Sequence, residues 1–248
     1  MCGIFCCLWN TKKKYNFTDQ LNNSLKYIRH RGPDNQKLIN GNGWALGHTR
    51  LSIIDTSKRA NQPFTDKEKR YYLSFNGEIY NYLELRKHLV DEGFNLNTSS
   101  DTEVLFYLLR FKGIDKTLKL IRGMFSFIFY DKVKSILYGA RDHFGQKPFH
   151  YTLKDNFFAV CSEVKPLIKL HTKIELDFIS CRTYLCSNGI IEKDRTFFKD
   201  TFTLPAGHMI KFEKGKVKIK KYFDVIDLHD HNDHHLKSSI SSNIEKLN

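Results

Sequence analysis

A cysteine directly follows the initiator methionine of this chain. Removal of Met1 leaves Cys2 with both a thiol and a free α-amino group, and the cysteine side chain is small enough for that removal. An α-amino group has a pKa of about 7.7 to 8.0, so it can accept a thiol proton near neutral pH. Cys2 could therefore supply a nucleophile and its base in one residue, although a cysteine at this position is more often incidental.

Other residues of the chain suit acyl transfer, which needs donors for a developing oxyanion and groups that hold the charged ends of a substrate. Arg50 carries a guanidinium that can bind a carboxylate through two parallel hydrogen bonds. Asn76 and Gly77 offer an amide and a backbone N–H, although Asn-Gly is also a strong hairpin-turn signal. Glu78 and Asp101 could hold an ammonium group, although Asp101 would also stabilise a helix N-terminus.

A series of motifs follows in one order along the chain, at residues 1–5 (MCGIF), 29–34 (RHRGPD), 48–55 (HTRLSIID), 75–81 (FNGEIYN), 99–104 (SSDTEV), 123–127 (GMFSF), 141–148 (RDHFGQKP), 162–165 (SEVK) and 204–207 (LPAG). This series resembles the class II glutamine amidotransferases, which are N-terminal-nucleophile hydrolases. One such motif is weak, but the ordered series is specific. The sequences at 30–34, 51–55 and 141–145 are similar to those of the glutamine-hydrolysing asparagine synthetases.

The resemblance implies a reaction and a role for each motif. Cys2 attacks the side-chain amide of L-glutamine, its own amine moves the proton, and a glutamyl thioester is hydrolysed to glutamate and ammonia. Asn76 and Gly77 supply the oxyanion hole, so the implied catalytic residues are these two and Cys2. The implied substrate-binding residues are Arg50, Leu51, Ser52, Ile53, Ile54, Asn76, Gly77, Glu78 and Asp101.

The resemblance covers residues 2–223, which we predict as the amidotransferase domain, with residues 224–248 as a linker and the start of a helix toward a synthetase domain. The family's ATP-using loop, Ser-Gly-Gly-x-Asp-Ser, does not occur in the sequence, and neither does GxxxxGK[ST]. We expect no cofactor in this chain, with ATP and Mg²⁺ needed only by a synthetase domain or a separate ATP-using subunit. A glutamine-binding regulatory module without turnover and a free-standing glutaminase are the alternatives.

The composition fits an ordinary globular protein, with 41% hydrophobic and 27% charged residues. The net charge of +13 could indicate nucleic-acid binding, but the basic residues are scattered, so a lysine-rich solvated surface is preferred. No stretch approaches the roughly 18 apolar residues of a membrane span. We expect a cytoplasmic protein with no metal site and with neither nucleic acid nor membrane as a partner.

The remaining cysteines and histidines are expected to be structural. Cys6 and Cys7 replace residues that are usually small or aliphatic in the family, and we expect both to be buried, as we do for Cys161, Cys181 and Cys186. His30 and His48 could suggest a Cys-His pair. Because the N-terminal amine already provides a base, neither histidine is predicted to be catalytic.

Strand and helix patterns must position these residues. The apolar run at 3–9 predicts a strand, and Thr18 is a suitable N-cap for a helix toward Arg29. Asn81 and Ser100 begin two more predicted helices, and another covers residues 177–186. The other predicted strands are residues 43–54, 71–75, 124–130, 135–140, 149–153, 157–161, 208–213 and 216–222. This order favours an α+β fold, and the resemblance implies a four-layer α-β-β-α sandwich of the N-terminal-nucleophile hydrolase type.

Overall fold

A computed structural model describes residues 1–11, 18–154, 157–187 and 194–226. In chain order its elements are β1 (Gly3–Trp9), α1 (Thr18–Tyr27), β2 (Asn35–Gly41), β3 (Trp44–Arg50), β4 (Phe64–Thr65), β5 (Tyr71–Ile79), α2 (Tyr82–Asp91), α3 (Asp101–Lys112), α4 (Ile114–Leu120), β6 (Gly123–Asp131), β7 (Ile136–Arg141), β8 (His150–Lys154), β9 (Phe157–Cys161), α5 (Val164–Ile168), α6 (Phe178–Ser187), β10 (Thr201–Thr203), β11 (His208–Glu213) and β12 (Lys216–Lys221). Short 3-10 turns lie at Arg29–Arg31 and Lys58–Ala60.

The strands form two six-stranded sheets. The first has the order β10-β8-β9-β1-β3-β2, and the second has the order β12-β11-β7-β6-β5-β4. Strand β1 lies inside the first sheet, where Gly3 pairs with Thr49 of β3 and Phe5 pairs with Cys161 of β9. Because β1 has a neighbour on each side, the residue just before it, Cys2, is held at one end of the sandwich.

The side chains of β1 alternate between two separate cores, as a strand requires. Ile4, Cys6 and Leu8 contribute to the core between the two sheets. Phe5 and Cys7 face the other way and pack in the core that includes residues of α1. Cys6 and Cys7 are both buried, as predicted. Full burial of a large apolar side chain contributes about 1.5 to 3 kcal/mol, so this alternation fixes the register of β1 strongly.

Helices α2, α3 and α4 cover the outer face of the second sheet, where Phe75 and Phe127 pack against Leu105. The start of α3 is fixed by its own polar side chains: Ser100 accepts a hydrogen bond from Glu103 N, and the Glu103 carboxylate accepts one from Thr98 N at 2.6 Å. With α1 and α5 on the first sheet, the order of layers is α-β-β-α. The predicted α+β sandwich is confirmed.

The predicted strand 43–54 is too long, because β3 ends at Arg50 and residues 51–57 form a loop. The apolar pair in this loop imitates a strand, yet the Ile53 side chain is 71% exposed. Hydrogen bonds from polar side chains hold the loop instead: Asp34 Oδ2 accepts from Ser52 N at 2.7 Å, and Asp55 Oδ1 accepts from Ser57 N at 2.8 Å. These partners are far along the chain or lie across a turn, so periodicity does not reveal them.

Several short or polar elements were not predicted, namely β2, β4, β10, α4 and α5. Strand β2 is polar because it is an edge strand with only half-buried and exposed side chains. The predicted linker and helix over 224–248 fall mostly on residues 227–248, which lie outside the described residues. Among the described residues, no helix is long and apolar enough to cross a bilayer.

The expectation for the later cysteines is wrong in part. Cys161 is fully buried, but Cys181 is half-buried and Cys186 is exposed. Both lie on α6, where Ser180 is buried and Leu185 is 83% exposed. Because most side chains of α6 are half-buried or exposed, cysteine type alone does not predict burial there.

Candidate active site

Cys2 is fixed at the end of β1 by contacts from two chain segments. Leu51 N donates to its Sγ at 3.4 Å, and the Sγ lies 3.6 Å from Leu51 O. Arg31 Nε donates to the Cys2 carbonyl oxygen at 3.0 Å, and Arg31 Nη1 donates to Glu163 at 3.2 Å. Burial raises the pKa of the Cys2 thiol, while the Leu51 hydrogen bond and the charge of Arg50 act in the opposite direction. This thiol needs a base to become a nucleophile.

A cavity of about 230 Å³ opens beside Cys2 and brings together nearly all the predicted site residues. Ser52 is the exception, because it does not line the cavity and its N–H donates to Asp34. The predicted residues that line the cavity are Cys2, Arg50, Leu51, Ile53, Ile54, Asn76, Gly77, Glu78 and Asp101. A set dispersed over the first 101 positions of the sequence therefore meets at one place.

Asn76 and Gly77 lie inside strand β5, so the hairpin-turn alternative for this pair is wrong. They pair with Ser126 and Phe125 of β6. The Asn76 side chain is buried, and among the described residues its Nδ2 has no hydrogen-bond partner. Leaving a buried donor unpaired costs about 1 to 3 kcal/mol, so this amide is available to an acceptor in the cavity.

Gly77 is required by the close approach of β6. A Cβ at this position would lie 2.1 Å from the Met124 carbonyl oxygen and 2.7 Å from Phe125 Cα. Both atoms belong to backbone, so neither can turn aside as a flexible side chain can. The two strands therefore approach closely at the position next to the unpaired Asn76 amide.

Arg50 is buried and holds the loop that follows β3. Its Nη1 donates to Ser57 O at 2.9 Å and to Asn61 Oδ1 at 2.6 Å, and its Nη2 donates to Asp55 O. Within the described part of the chain, these bonds leave Nε and one N–H of Nη2. Those two donors point in parallel from a guanidinium, which is the arrangement that binds a carboxylate.

Two carboxylates line the cavity near the start of α3. Asp101 is 5% exposed, and its Oδ2 accepts a hydrogen bond from Ile79 N at 3.0 Å. Burial raises the pKa of Asp101 to about 6, although hydrogen bonds from Ile79 and Thr102 lower it. Glu78 is half-buried, and its charge also raises the pKa of Asp101. A cation bound here would relieve both effects.

Gln62, Lys147 and Met1 are among the further residues that line the cavity and that sequence reasoning did not assign to the site. Gln62 Oε1 accepts a hydrogen bond from Phe75 N at 2.7 Å. Lys147 is buried and also lines the cavity, together with Met1. Lys147 belongs to the motif at 141–148, and a charged residue inside that motif is the available signal. For Gln62 the sequence contains no comparable signal.

The histidines do not form a Cys-His pair with Cys2. His48 is fully buried, and its Nε2 lies 3.0 Å from Phe75 O, across the space between the sheets. Burial lowers the pKa of His48 to about 3, so this imidazole is neutral and donates to the carbonyl. His30 is exposed and pairs with Glu163 at 2.8 Å. Neither histidine lines the cavity.

A second cavity, of about 880 Å³, lies at the opposite end of the sandwich. It is lined by the end of β1 at Trp9, by turn residues such as Asn42 and Gly215, and by the aromatic ring of Tyr130. None of the described residues that line it is a cysteine. Although this cavity is larger, the smaller one holds the groups that can do chemistry, and chemistry decides which is the candidate active site.

The cavity at Cys2 has the parts that acyl transfer on an amide requires. It combines a thiol, an unpaired amide donor, a guanidinium with two parallel donors and the carboxylates of Glu78 and Asp101. The guanidinium and the carboxylates suit a substrate with a carboxylate at one point and an ammonium at another, as in an amino acid. Among the described residues, no group of three or more His, Cys, Asp or Glu side chains is placed to hold a metal ion.

Comparison with known proteins agrees with this chemistry. The sequence profile of the glutamine amidotransferase domain matches residues 1–223, and the chain belongs to that family. Within it, the chain is 35% identical over 226 residues to asparagine synthetase [glutamine-hydrolyzing] 1 of Bacillus subtilis, covering 90% of this chain and 35% of that protein. It is 33% identical over 246 residues to putative asparagine synthetase [glutamine-hydrolyzing] 2 of Methanocaldococcus jannaschii, covering 90% and 46%. The predicted resemblance is confirmed, and the chain spans less than half the length of these relatives.

Solved structures confirm the fold type. The glutamine phosphoribosylpyrophosphate amidotransferase of Bacillus subtilis, complexed with ADP and GMP, matches with a TM-score of 0.64 at 18% identity, covering 90% of this chain and 49% of that one. A structure described as the allosteric regulatory enzyme of purine biosynthesis matches with a TM-score of 0.63 at 17% identity, with coverage of 90% and 49%. At these identities the likeness concerns the fold alone, which is the sandwich of the N-terminal-nucleophile type.

Proposed function

We propose that this chain hydrolyses L-glutamine to glutamate and ammonia, with Cys2 as the nucleophile after Met1 is removed. The observation that carries the proposal is the meeting of the Cys2 thiol with Asn76 and Gly77 in one cavity of about 230 Å³, where the buried Asn76 amide has no described partner. Membership of the glutamine amidotransferase domain family supports the choice of substrate.

The reaction begins when the free α-amine of Cys2 takes the thiol proton and Sγ attacks the side-chain carbonyl carbon of glutamine. The carbonyl oxygen becomes an oxyanion that accepts hydrogen bonds from Asn76 Nδ2 and Gly77 N. The C–N bond then breaks, the α-ammonium gives its proton to the leaving nitrogen, and ammonia departs from a glutamyl thioester. Water, deprotonated by the same amine, hydrolyses the thioester and restores the thiol.

The charged ends of glutamine are held away from the reacting bond. The α-carboxylate binds to the two parallel donors that Arg50 leaves after its loop contacts. The α-ammonium lies between Asp101 and Glu78, which both line the cavity. Leu51, Ile53 and Ile54 form the wall, and Ser52 acts indirectly, through the hydrogen bond to Asp34 that shapes their loop.

The wider role we propose is to supply ammonia for an ATP-dependent synthesis, as the names of the relatives suggest for asparagine. ATP and Mg²⁺ are then needed by a synthetase domain or a separate ATP-using subunit, and not by the cavity at Cys2. A cytoplasmic location suits this chemistry because the Cys2 thiol must stay reduced to act as a nucleophile.

The test is a measurement of glutamate release from L-glutamine by the purified chain, with loss of Met1 established by intact mass. We expect release by the processed chain and none by Cys2→Ala. The control is Cys186→Ala, which removes an exposed thiol on α6 and should leave the rate unchanged. Unchanged activity in Cys2→Ala would overturn the mechanism. Glutamine binding by the processed wild-type chain without any glutamate release would favour a regulatory module instead.

A further inference from the structure

Lys147 places an ammonium group in the cavity that holds Cys2. Its side chain is buried, with 6% of the residue exposed, and its Nζ lies 3.3 Å from Met1 Sδ. Met1 is the residue covalently attached to the nitrogen of Cys2. When Met1 is removed, Nζ loses this neighbour, and the α-amine of Cys2 is set free in the cavity that Lys147 also lines.

The backbone of Lys147 is fixed on both sides, so its position is built into the fold. Asp142 Oδ2 accepts a hydrogen bond from Lys147 N at 2.9 Å, and Arg141 Nε donates to Lys147 O at 2.8 Å. Arg141 is itself tied to Leu204 O at 2.8 Å and to Gly145 O at 2.7 Å. The motif at 141–148 is therefore a rigid turn that delivers one cation into the cavity.

We propose that the Lys147 ammonium favours the neutral form of the Cys2 α-amine, and so keeps the catalytic base ready near neutral pH. The inference rests on the proposed function. A neighbouring cation makes protonation of an amine less favourable. An ordinary α-amine with a pKa near 8 is only about one-tenth neutral at pH 7, and lowering that pKa by about one unit makes about half of it neutral.

Two other cations face the same end of β1, and both have partners. Arg31 donates to the Cys2 carbonyl oxygen and to Glu163, so its charge is shared with a carboxylate. Arg50 donates to three oxygen atoms of the loop after β3 and is kept for the substrate carboxylate. Among the described residues, Lys147 Nζ contacts the thioether of Met1. Arg31 Nη2 is buried without a partner among the described residues, but Arg31 is ion-paired with Glu163, whereas Lys147 forms no ion pair within the described part of the chain.

The anions that line the cavity are Asp55, Glu78 and Asp101, together with the Cys2 thiolate once it forms, and Asp142 lies beside Lys147. Asp101 and Glu78 are balanced by the substrate ammonium when glutamine binds. Asp142 is fully buried under the turn and accepts hydrogen bonds from four backbone N–H groups. Burial lowers the pKa of Lys147, Arg31 lowers it further, and Asp142, Cys2 and Glu78 oppose this.

The experiment compares Lys147→Met with Lys147→Arg in the processed full chain, measuring kcat/KM for glutamate release from about pH 5.5 to 9. We expect the acidic limb of the Met variant to move upward by about one pH unit. Its rate at pH 7 should fall about fivefold and return toward the wild-type rate at the alkaline end. The Arg variant keeps the charge and should keep the wild-type limb. Lys218→Met, at an exposed lysine of β12, is the matched control and should change nothing.

A uniform loss at every pH, or an acidic limb that does not move in the Met variant, would overturn the inference. Lys147→Gln provides a second uncharged variant if Lys147→Met does not fold, and it should show the same shifted limb. The two proposals fail separately. A processed wild-type chain that releases no glutamate refutes the proposed function, whereas an active wild type, an inactive Cys2→Ala and unshifted uncharged variants refute only the role of Lys147.

Discussion

The two ends of the sandwich differ in what their cavities contain. Strand β1 connects them, from Cys2 just before its start to Trp9 at its end, a length of about 23 Å for seven residues in extended conformation. The cavity at the Cys2 end has a volume of about 230 Å³, and the cavity at the Trp9 end about 880 Å³. The smaller one holds the thiol and the carboxylates, so size is the weaker guide to function.

The difference teaches how a site can be distinguished from a gap between elements. At the Cys2 end, the buried Asn76 amide has no described partner, and burial raises the pKa of Asp101 to about 6. At the Trp9 end, the aspartate that lines the cavity, Asp200, forms an ion pair with Lys154, one of the two lysines that line it. A buried donor without a partner and a carboxyl with a raised pKa are both unfavourable in the free protein. Such groups mark the place where a ligand is expected to bind.

The largest contrast is expected between two glycines. Gly77→Ala puts a Cβ against the Met124 carbonyl oxygen, 2.1 Å away, and should lower the free energy of unfolding by about 3 kcal/mol. Gly215→Ala, at the other cavity, meets no atom within 4 Å and should cost only about 1 kcal/mol for its positive φ of 76°. Urea unfolding measures both, and equal losses would contradict the close approach of β6 at Gly77.

Two asparagines should separate the cavities by activity. Asn76→Ala removes a proposed oxyanion donor and should lower kcat for glutamate release by about 10²- to 10³-fold, with little change in stability. Asn42→Ala alters an exposed residue of the larger cavity and should leave kcat unchanged. Steady-state kinetics decides the comparison. A similar kcat for both variants would remove Asn76 from the mechanism.

Asp101 should connect stability and pH at the Cys2 end. Its folded-state pKa of about 6 lies above an unfolded value near 3.9, so the folded state keeps the proton longer and the contribution of Asp101 to stability falls as pH rises from about 4 to 6. Without glutamine, Asp101→Asn should therefore be more stable than wild type by about 2 to 3 kcal/mol at pH 7, and by little at pH 4. Urea unfolding at both pH values checks this. A variant less stable than wild type at pH 7 would contradict the buried-charge penalty.

The same change should weaken substrate binding. Asp101→Asn removes the charge that we assign to the substrate ammonium, so KM for glutamine should rise about tenfold or more at pH 7. In the wild type, KM should rise as pH falls below about 6, because Asp101 then takes up a proton. Initial rates over a range of glutamine concentrations measure both effects. A KM that is insensitive to Asp101 would leave only Glu78 for this role.

The smallest effect is expected at the far end. Lys154→Met breaks the ion pair with Asp200, in which both side chains are about one-third exposed, and such pairs contribute about 0 to 1 kcal/mol. Glutamate release should stay within about twofold of wild type, since the pair lies far from Cys2. Parallel measurement of unfolding and kinetics checks this, and a large loss of activity would show that the two ends are coupled.

The sequence predicts the parts of the fold that local pattern controls. The apolar run of β1 and the capped start of α3 at Ser100 lie where periodicity and capping chemistry put them. The sequence does not predict that Asn76 and Gly77 lie in a strand interior, because their turn-like character is overridden by pairing with β6. It also misplaces Ile53, whose apolar type favours a strand although its loop is held by distant polar residues.

The sequence predicts which residues form most of the candidate site, but it does not predict their burial or their hydrogen bonds. The motifs identify Cys2, Arg50 and Asp101, because their types fit the reaction in a recognisable order. That Arg50 also fastens the following loop, and that Lys147 enters the cavity, depends on long-range contacts. Burial and hydrogen bonding depend on how the layers pack against each other. A local window of sequence does not contain that information.

The neutral His48 has a consequence for how the chain tolerates acid. Its hydrogen bond to Phe75 O crosses from the first sheet to the second, one residue before Asn76. Since burial lowers the pKa of His48 to about 3, the imidazole in this hydrogen bond stays neutral from alkaline solution down to strong acid. Acidification below the unfolded value near 6.5 then lowers the contribution of His48 to the free energy of unfolding, because the unfolded imidazole gains a proton while the folded one stays neutral. Above about pH 6.5, the pH dependence of catalysis therefore reflects the titration of groups in the cavity and not a loss of stability caused by His48.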